Sequence, residues 1–309
     1  MRIDPKIAKR TAKIIAGAGP SVTQAEAAAV VAELRRQAER AIPLVAEVSG
    51  LTAGAETAGL ADVLVVDRAG WATAAAQSLK AMFKPSRANF IAPKPGAVER
   101  AGDRLEAEEF GLAIAGLAPR IFGQFDPYGA PRPGRLVLVA PNILEFLHAY
   151  NLDRRDVCLW VCTHELTHGA QFAAAPWLAD YIISRVRHLV DGDVDEELMS
   201  EIAAIMGLLE GHAEYVMNAV PIATMPSKKK TIAAMAKRRA GGHSVQKKMY
   251  QFLGMDEKAK QYSRGVSFVS AVVEAHGLDG FNKVWENPLN APSPSELDNP
   301  AAWARRVLG

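Results

Sequence analysis

The chain contains 309 residues, of which 49% are hydrophobic and 23% are charged, and these proportions exclude a largely disordered protein. With 36 basic and 34 acidic residues the net charge is +2, which gives no general reason to expect a nucleic-acid partner. Two cysteines are too few for a disulfide scaffold.

Nothing in the sequence predicts a membrane span, because no apolar run reaches about 18 residues. The first helical segment lacks the continuous apolar core of a signal peptide, since Lys9, Arg10 and Lys13 interrupt it. We therefore expect a cytoplasmic protein without a membrane partner.

The pattern of apolar residues predicts a mainly α fold, of the α+β kind, with few short strands. Strands are predicted at 62–67 and 135–140, and residues from 143 onward are predicted to be almost entirely helical. Helices in the first half and around the central motif are predicted over residues 5–17, 22–42, 71–83, 97–119, 154–173 and 177–190. Proline and glycine at 126–134 suggest a boundary between a helical region, 1–130, and a catalytic region, 131–309, within one compact unit.

The chemically informative stretch reads His-Glu-x-x-His at His164, Glu165 and His168. On a helix the two histidines lie one above the other, so both imidazoles can bind one metal ion. Zinc accepts histidine nitrogens at about 2.0–2.1 Å. Glu165 is rotated about 100° from His164, so it can address water at the metal without binding the metal. The sequence therefore predicts a Zn²⁺ cofactor.

A catalytic zinc site needs a third protein ligand, and three candidates lie downstream in the segment 207–216. Glu210 is favoured over Glu214 and His212 because two histidines and one glutamate form a common catalytic set. Glu210 and Glu214 share a helix face, so Glu214 is predicted to orient a ligating imidazole.

Two short motifs resemble those of aminopeptidase-N-like gluzincins. The string from Glu210 to Tyr215 resembles their third-ligand motif, and the string from Tyr262 to Gly265 resembles their Tyr-x-x-Gly motif. The resemblance implies that Tyr262 donates a hydrogen bond to the oxyanion, with Tyr215 as a less favoured alternative. It also implies that Asn142 occupies an edge-strand position that holds the substrate backbone.

Across most of residues 5–309 the chain is similar to the type 2 zincin-like metallopeptidases, which are often labelled as associated with biosynthesis of a deazaflavin coenzyme. The resemblance rests on Phe-Gly-Gln-Phe-Asp-Pro at 122–127, on the central histidine motif, and on segments 65–71, 138–143, 176–178 and 299–303. It implies a zincin-like fold, a zinc site and hydrolase activity.

Three functions are compatible with these residues. The favoured one is a zinc peptidase in which Glu165 takes a proton from water and returns it to the leaving amine. The alternatives are a zinc hydrolase of a small amide metabolite and a non-catalytic, metal-stabilised binding protein. An extended peptide would favour an exposed strand edge, whereas a small amide would favour a closed pocket.

Other residues have simpler explanations. Cys158 and Cys162 are expected to pack in the core rather than bind metal. His276 is expected to mark a helix end before Gly277 rather than to act as a further ligand. The basic segment 228–264 is interpreted as a solvated helical surface rather than a polyanion site, because no aromatic residues alternate with its charges.

Overall fold

The computed structural model describes residues 3–83, 97–191, 195–240 and 262–309. Its described part is mainly helical with three short strands, which confirms the predicted fold class. The helices of the first half are α1 (Pro5–Ile15), α2 (Gln24–Ser49), α3 (Thr52–Gly59), α4 (Arg68–Met82), α5 (Ala97–Leu117) and α6 (Ala140–Tyr150). Those of the second half are α7 (Arg154–Ala174), α8 (Leu178–Asp191), α9 (Glu196–Ala219), α10 (Lys228–Arg238), α11 (Tyr262–Asn282), α12 (Pro294–Asp298) and α13 (Pro300–Val307).

The strands β1 (Asp62–Val66), β2 (Gly123–Asp126) and β3 (Arg135–Val139) form one sheet in the order β1-β3-β2. The outer strand β1 pairs with β3 in parallel, whereas β2 pairs with β3 in antiparallel orientation. Strands β1 and β2, which precede residue 130, and strand β3, which follows it, therefore belong to one sheet.

Two hydrophobic clusters lie on opposite faces of the sheet. Leu136 and Leu138 face the larger cluster, which includes α2, α3, α7, α9 and α11. Val137 and Val139 face the smaller cluster, which is formed with α1, α4 and α5. All five residues of β3 are buried, and this explains why its sequence is a continuous apolar run after Arg135 rather than an alternating pattern.

A buried ion pair holds the hairpin that joins β2 to β3. Asp126 accepts hydrogen bonds from Arg135 Nε at 2.9 Å and from the Ser78 hydroxyl at 2.7 Å. The same carboxylate accepts from the backbone N–H groups of Tyr128 and Gly129, both at 3.0 Å. These four donors compensate the buried negative charge of Asp126. Because Arg135 lies on β3, its bond to Asp126 also fixes the register between β2 and β3.

None of the helices in the described residues has the length and apolar character needed to cross a membrane.

Candidate metal centre

Helix α7 carries the histidine motif through the middle of the molecule. Asp153 caps its first turn by accepting a hydrogen bond from the Asp156 backbone N–H at 2.9 Å, as the sequence predicted. Most of the helix is buried on several sides, against α2, α3 and α9. His164 and His168 face the side on which α9 crosses, so their imidazoles point towards Glu210.

Three glycines allow α9 to approach α11 at backbone contact distance. A Cβ on Gly211 would lie 2.2 Å from the Gly265 carbonyl carbon, and a Cβ on Gly265 would lie 2.0 Å from the Gly207 oxygen. Any larger side chain would separate the helices. The glycines of the two gluzincin-like motifs are therefore neighbours, and their contact fixes the position of Glu210 on α9.

The ligand atoms of His164, His168 and Glu210 form a compact triangle. The two Nε2 atoms are 3.3 Å apart. The carboxylate oxygens of Glu210 lie 3.5 Å from His164 Nε2 and 3.7 Å from His168 Nε2. Among the described residues, this is the group of histidine, cysteine and acidic side chains arranged closely enough to hold a metal ion.

This triangle fits zinc. Two ligand atoms about 2.0–2.1 Å from a tetrahedral ion lie about 3.3 Å apart, the separation of the two Nε2 atoms. The glutamate edges of 3.5 Å and 3.7 Å need only a small inward movement. Two nitrogens and one oxygen are a ligand set that zinc accepts, and no fourth histidine, cysteine or acidic side chain of the described residues joins the group.

Gln171 connects His168 to a buried histidine behind it. The His168 Nδ1–H donates to Gln171 Oε1 at 2.9 Å, which leaves the lone pair of Nε2 directed towards Glu210. Gln171 Nε2 donates to the Leu209 carbonyl at 2.8 Å and to His212 Nδ1 at 3.0 Å. Burial, with the charge of His168 adding to it, lowers the pKa of His212 to about 3. His212 is thus a neutral support and not a ligand.

Glu165 lies between the histidines and the outer strand β2. Its side chain is only 8% exposed, and burial raises its pKa above the ordinary range although both histidines oppose that shift. The carboxylate also forms a hydrogen bond with the backbone of Phe125. A Cβ on Gly123 would lie 2.7 Å from the Glu165 Cγ, so the absence of a side chain there gives Glu165 its space.

The pKa of His164 is subject to opposing effects. Burial lowers its pKa, but the hydrogen bond with Glu210 and the charges of Glu165 and Glu210 outweigh burial, so the net pKa is raised. Its ring stacks on Trp160 with centroids 6.2 Å apart and planes 14° apart. The stacking restricts the imidazole to the orientation in which Nε2 faces the triangle.

The prediction for Asn142 was wrong in its structural basis. Asn142 lies in the first turn of α6 and not on an edge strand, and it is 1% exposed. Its amide donates to the carbonyls of Ala118 at 2.7 Å and Ile121 at 2.5 Å, and its oxygen accepts from Arg68 Nε at 2.7 Å. These bonds occupy the side chain, so Asn142 supports the fold and the edge near the site is β2.

The remaining candidates are placed as follows. Glu214 has no hydrogen bond to either histidine in the described residues, and Gln171 makes the orienting contact instead. Tyr262 begins α11 one turn before Gly265, but its side chain lies outside the described residues. Tyr215 packs against the larger cluster.

The cysteine pair and His276, the other possible metal ligands in the sequence, are not part of the triangle. Cys158 and Cys162 are both buried, and burial raises the pKa of Cys158 to about 12. His276 is exposed immediately before Gly277, whose φ of 71° interrupts α11.

Two parts of the site were missed by the sequence reasoning. Strand β2 has only four residues, Gly-Gln-Phe-Asp, which is too short for an alternating pattern to be recognised. Gln171 lies three positions after His168, so the same helical face that unites the histidines could have identified it.

Comparisons with known proteins found a matching family and a similar solved structure. A family model described as zincin-like metallopeptidase matches residues 3–198 and 192–304. A crystal structure from Chloroflexus aurantiacus, described as that of a candidate hydrolase with a novel fold, is 28% identical, with a TM-score of 0.76 over 98% of both chains. A comparison with curated proteins found no match. The chain belongs to the zincin-like metallopeptidase family.

Proposed function

We propose that the protein is a zinc-dependent peptidase in which His164, His168 and Glu210 bind the metal. The observation that carries this proposal is the 3.3 Å separation of the two Nε2 atoms beside a carboxylate, with the buried Glu165 adjacent. A non-catalytic metal site would give no role to Glu165, a buried acid with a raised pKa close to both histidines.

Bound zinc would act as a Lewis acid that polarises a scissile carbonyl and makes water acidic enough to attack near neutral pH. Glu165 accepts the proton of the attacking water and transfers it to the departing amine. Burial raises the pKa of Glu165, so the carboxylate is a stronger base than an exposed glutamate. The Phe125 backbone orients it from the side of β2.

The edge of β2 supports a peptide as the substrate class. Gln124 and Asp126 pair directly with Val137 and Arg135 of β3, and the Val139 N–H donates to the Phe122 carbonyl at 2.8 Å. In this register the backbone groups of Gly123 and Phe125 point away from β3, and the Phe125 backbone forms a hydrogen bond with Glu165. An extended peptide can add to such an edge, whereas a small amide metabolite would make no use of it.

Tyr262 remains our proposed donor to the oxyanion. The support is positional, because Tyr262 begins the helix whose Gly265 touches Gly211, the residue after Glu210. The variant Tyr262→Phe is expected to lower kcat about 100-fold while leaving zinc affinity unchanged.

The deciding experiment combines metal analysis with digestion of a peptide library. Wild-type protein is expected to hold one zinc and to cleave peptides, and Glu165→Gln is expected to hold zinc without cleaving. Glu214→Gln serves as a matched control, because Glu214 lies one turn beyond Glu210 and is expected to leave both properties intact. Hydrolysis by Glu165→Gln would refute its role as the base, and hydrolysis of small amides but not peptides would favour the amidase alternative.

A further inference from the structure

The C-terminal end of α10 is held against the residue that precedes β2. The guanidinium carbon of Arg238 lies 4.2 Å from the centroid of the Phe122 ring. The same guanidinium donates to the carbonyls of Arg120 at 3.2 Å and Pro119 at 3.3 Å. Because Phe122 adjoins Gly123, these contacts locate the end of α10 at the N-terminal end of the strand beside Glu165.

Arg239 is the next residue, and its side chain is exposed. The charge of Arg239 has a minor influence on the pKa of His164, which it lowers. No carboxylate of the described residues lies within ion-pair distance of Arg239. Because Arg239 directly follows Arg238, its positive charge lies near the start of β2, the strand beside Glu165.

Arg120 extends the same positive region, and we call Arg120, Arg238 and Arg239 the arginine cluster. Burial is the main cause that lowers the pKa of Arg238 to about 10; the charge of Glu145 opposes this shift, and the charge of Arg120 adds to it. The Nε of Arg120 is buried without a hydrogen-bond partner in the described residues. The charge of Arg238 is partly opposed by Glu145, and a bound anion would add to that compensation.

The direction of β2 decides which part of a substrate meets this cluster. A peptide that adds to the edge of β2 in antiparallel orientation continues the pattern that β2 makes with β3. Its C-terminal side then lies at the Gly123 end, where the arginine cluster is, and its N-terminal side lies towards Asp126. The cluster is thus on the leaving-group side of the scissile bond.

We propose that Arg239 binds the C-terminal carboxylate of a peptide substrate, so that the enzyme removes short fragments from the C-terminal ends of peptides. This inference rests on the proposed peptidase function and adds the substrate class. Arg238 acts as a positioning residue, because its stacking on Phe122 and its bonds to backbone carbonyls hold the end of α10 in place. A guanidinium suits this role because it can form two parallel hydrogen bonds with a carboxylate.

A structural role would explain the same arginines differently. Cations in the last turn of a helix stabilise its dipole, and Lys237, Arg238 and Arg239 all lie at the end of α10. That role predicts equal effects from Lys237 and Arg239 and no dependence on the substrate terminus. The two explanations therefore differ in a measurable selectivity.

The test uses zinc-binding thiol probes rather than turnover. Mercaptoacetyl peptides with one, two or three alanines are prepared in pairs, as the free acid and as the carboxamide, and their affinity for the zinc-loaded full chain is measured by calorimetry. The thiol fixes one end at the metal, and the alanines extend along the leaving-group side. For the alanine number that fits, the acid is expected to bind about tenfold more tightly than the amide or better.

Variants test which residue binds the substrate carboxylate. Arg239→Gln is expected to reduce the acid-to-amide ratio to near one, Arg239→Lys to retain part of it, and Arg239→Glu to reverse the preference. Lys237→Gln, an exposed cation two positions earlier, is expected to leave the ratio unchanged. The preference of the wild type is also expected to fall with added salt, because the contact is exposed.

The outcomes separate this inference from the proposed function. Equal affinity for acid and amide at every length, with zinc bound, would overturn the carboxylate site and leave the peptidase proposal standing. If Arg239→Gln keeps the wild-type preference for the free acid over the carboxamide, Arg239 is not the residue that binds the carboxylate. Failure of every thiol probe to bind would overturn both proposals, since the carboxylate site is defined relative to the metal.

Discussion

Gln171 accepts a hydrogen bond from His168 Nδ1 at 2.9 Å and thereby selects the tautomer in which Nε2 faces the metal triangle. The amide is itself held by the Leu209 carbonyl and by His212, so it has one orientation available. The geometry of the proposed zinc site therefore depends on a residue outside the proposed ligand set.

The first prediction concerns this contact. Gln171→Leu removes the acceptor and is expected to weaken zinc affinity about 10- to 100-fold, because His168 loses its orientation and basicity. Zinc dissociation constants measured by chelator competition provide the test. Gln37→Leu is the control, since Gln37 is also buried on a helix but bonds to Glu33. Equal zinc affinity in the two variants would contradict the role of Gln171.

The second prediction separates the candidate third ligands. Glu210→Gln is expected to lower zinc affinity by several orders of magnitude, because an anionic ligand is replaced by a neutral amide. Glu214→Gln is expected to change it less than about threefold, since Glu214 lies outside the triangle. The same chelator competition measures both. A larger loss of zinc affinity in Glu214→Gln than in Glu210→Gln would show that Glu214, and not Glu210, is the third ligand.

The third prediction concerns the crossing of α9 and α11. Gly211→Ala places a Cβ 2.2 Å from the Gly265 carbonyl carbon. The helices must separate, so the free energy of unfolding is expected to fall by about 1–3 kcal/mol and zinc affinity is expected to fall with it. Chemical denaturation and zinc titration are the measurements.

A matched variant controls for the chemical change itself. Gly116→Ala lies in α5, where a Cβ would contact nothing within 4 Å. It is expected to stabilise the protein by about 0.4–1 kcal/mol, because alanine reduces the freedom of the unfolded chain. A destabilised Gly116→Ala together with an unaffected Gly211→Ala would show that the crossing is looser than the structure indicates.

The fourth prediction is a pH dependence that arises from His212. Burial lowers its pKa to about 3 in the folded protein, whereas the ordinary value is 6.5. The unfolded state binds the proton first, so His212 contributes stability above pH 6.5 that is lost as the pH falls from 6.5 towards 3. While one extra proton binds to the unfolded state, the slope is about 1.4 kcal/mol per pH unit.

The measurement is urea denaturation of the zinc-free protein between pH 4.5 and 7.5, compared with His212→Asn. Asparagine offers an acceptor to Gln171 Nε2 but does not titrate. The slope below pH 6.5 is expected to be smaller in His212→Asn than in the wild type. Identical slopes would show that His212 is protonated in the folded state or that it titrates alike in both states.

The features that the sequence predicted well are those carried by local periodicity. Helix α7 and its cap follow from Asp153 and the apolar residues after it, and β3 follows from an uninterrupted apolar run. The pairing of His164 with His168 requires only helical geometry. The third ligand needed more, because the return of α9 to α7 depends on helix packing rather than on local sequence.

The failures came from contacts between distant segments. The resemblance to gluzincins implied an edge-strand position for Asn142, yet its amide donates to carbonyls of the segment after α5. The end of α2 was placed at residue 42, but the helix continues through Pro43 to Ser49 because its last turns remain buried in the larger cluster. Helix α3 was missed since its alanines, glycines and threonines give a weak periodic signal.

Strand β3 has side chains in both hydrophobic clusters, and its neighbour β2 supplies the backbone that touches Glu165. A cavity made in the smaller cluster is therefore expected to shift the same sheet that contacts Glu165, the proposed base. Heat inactivation is accordingly expected to begin with loss of the alignment of Glu165 rather than with release of the ion, so activity should decline at lower temperatures than metal retention.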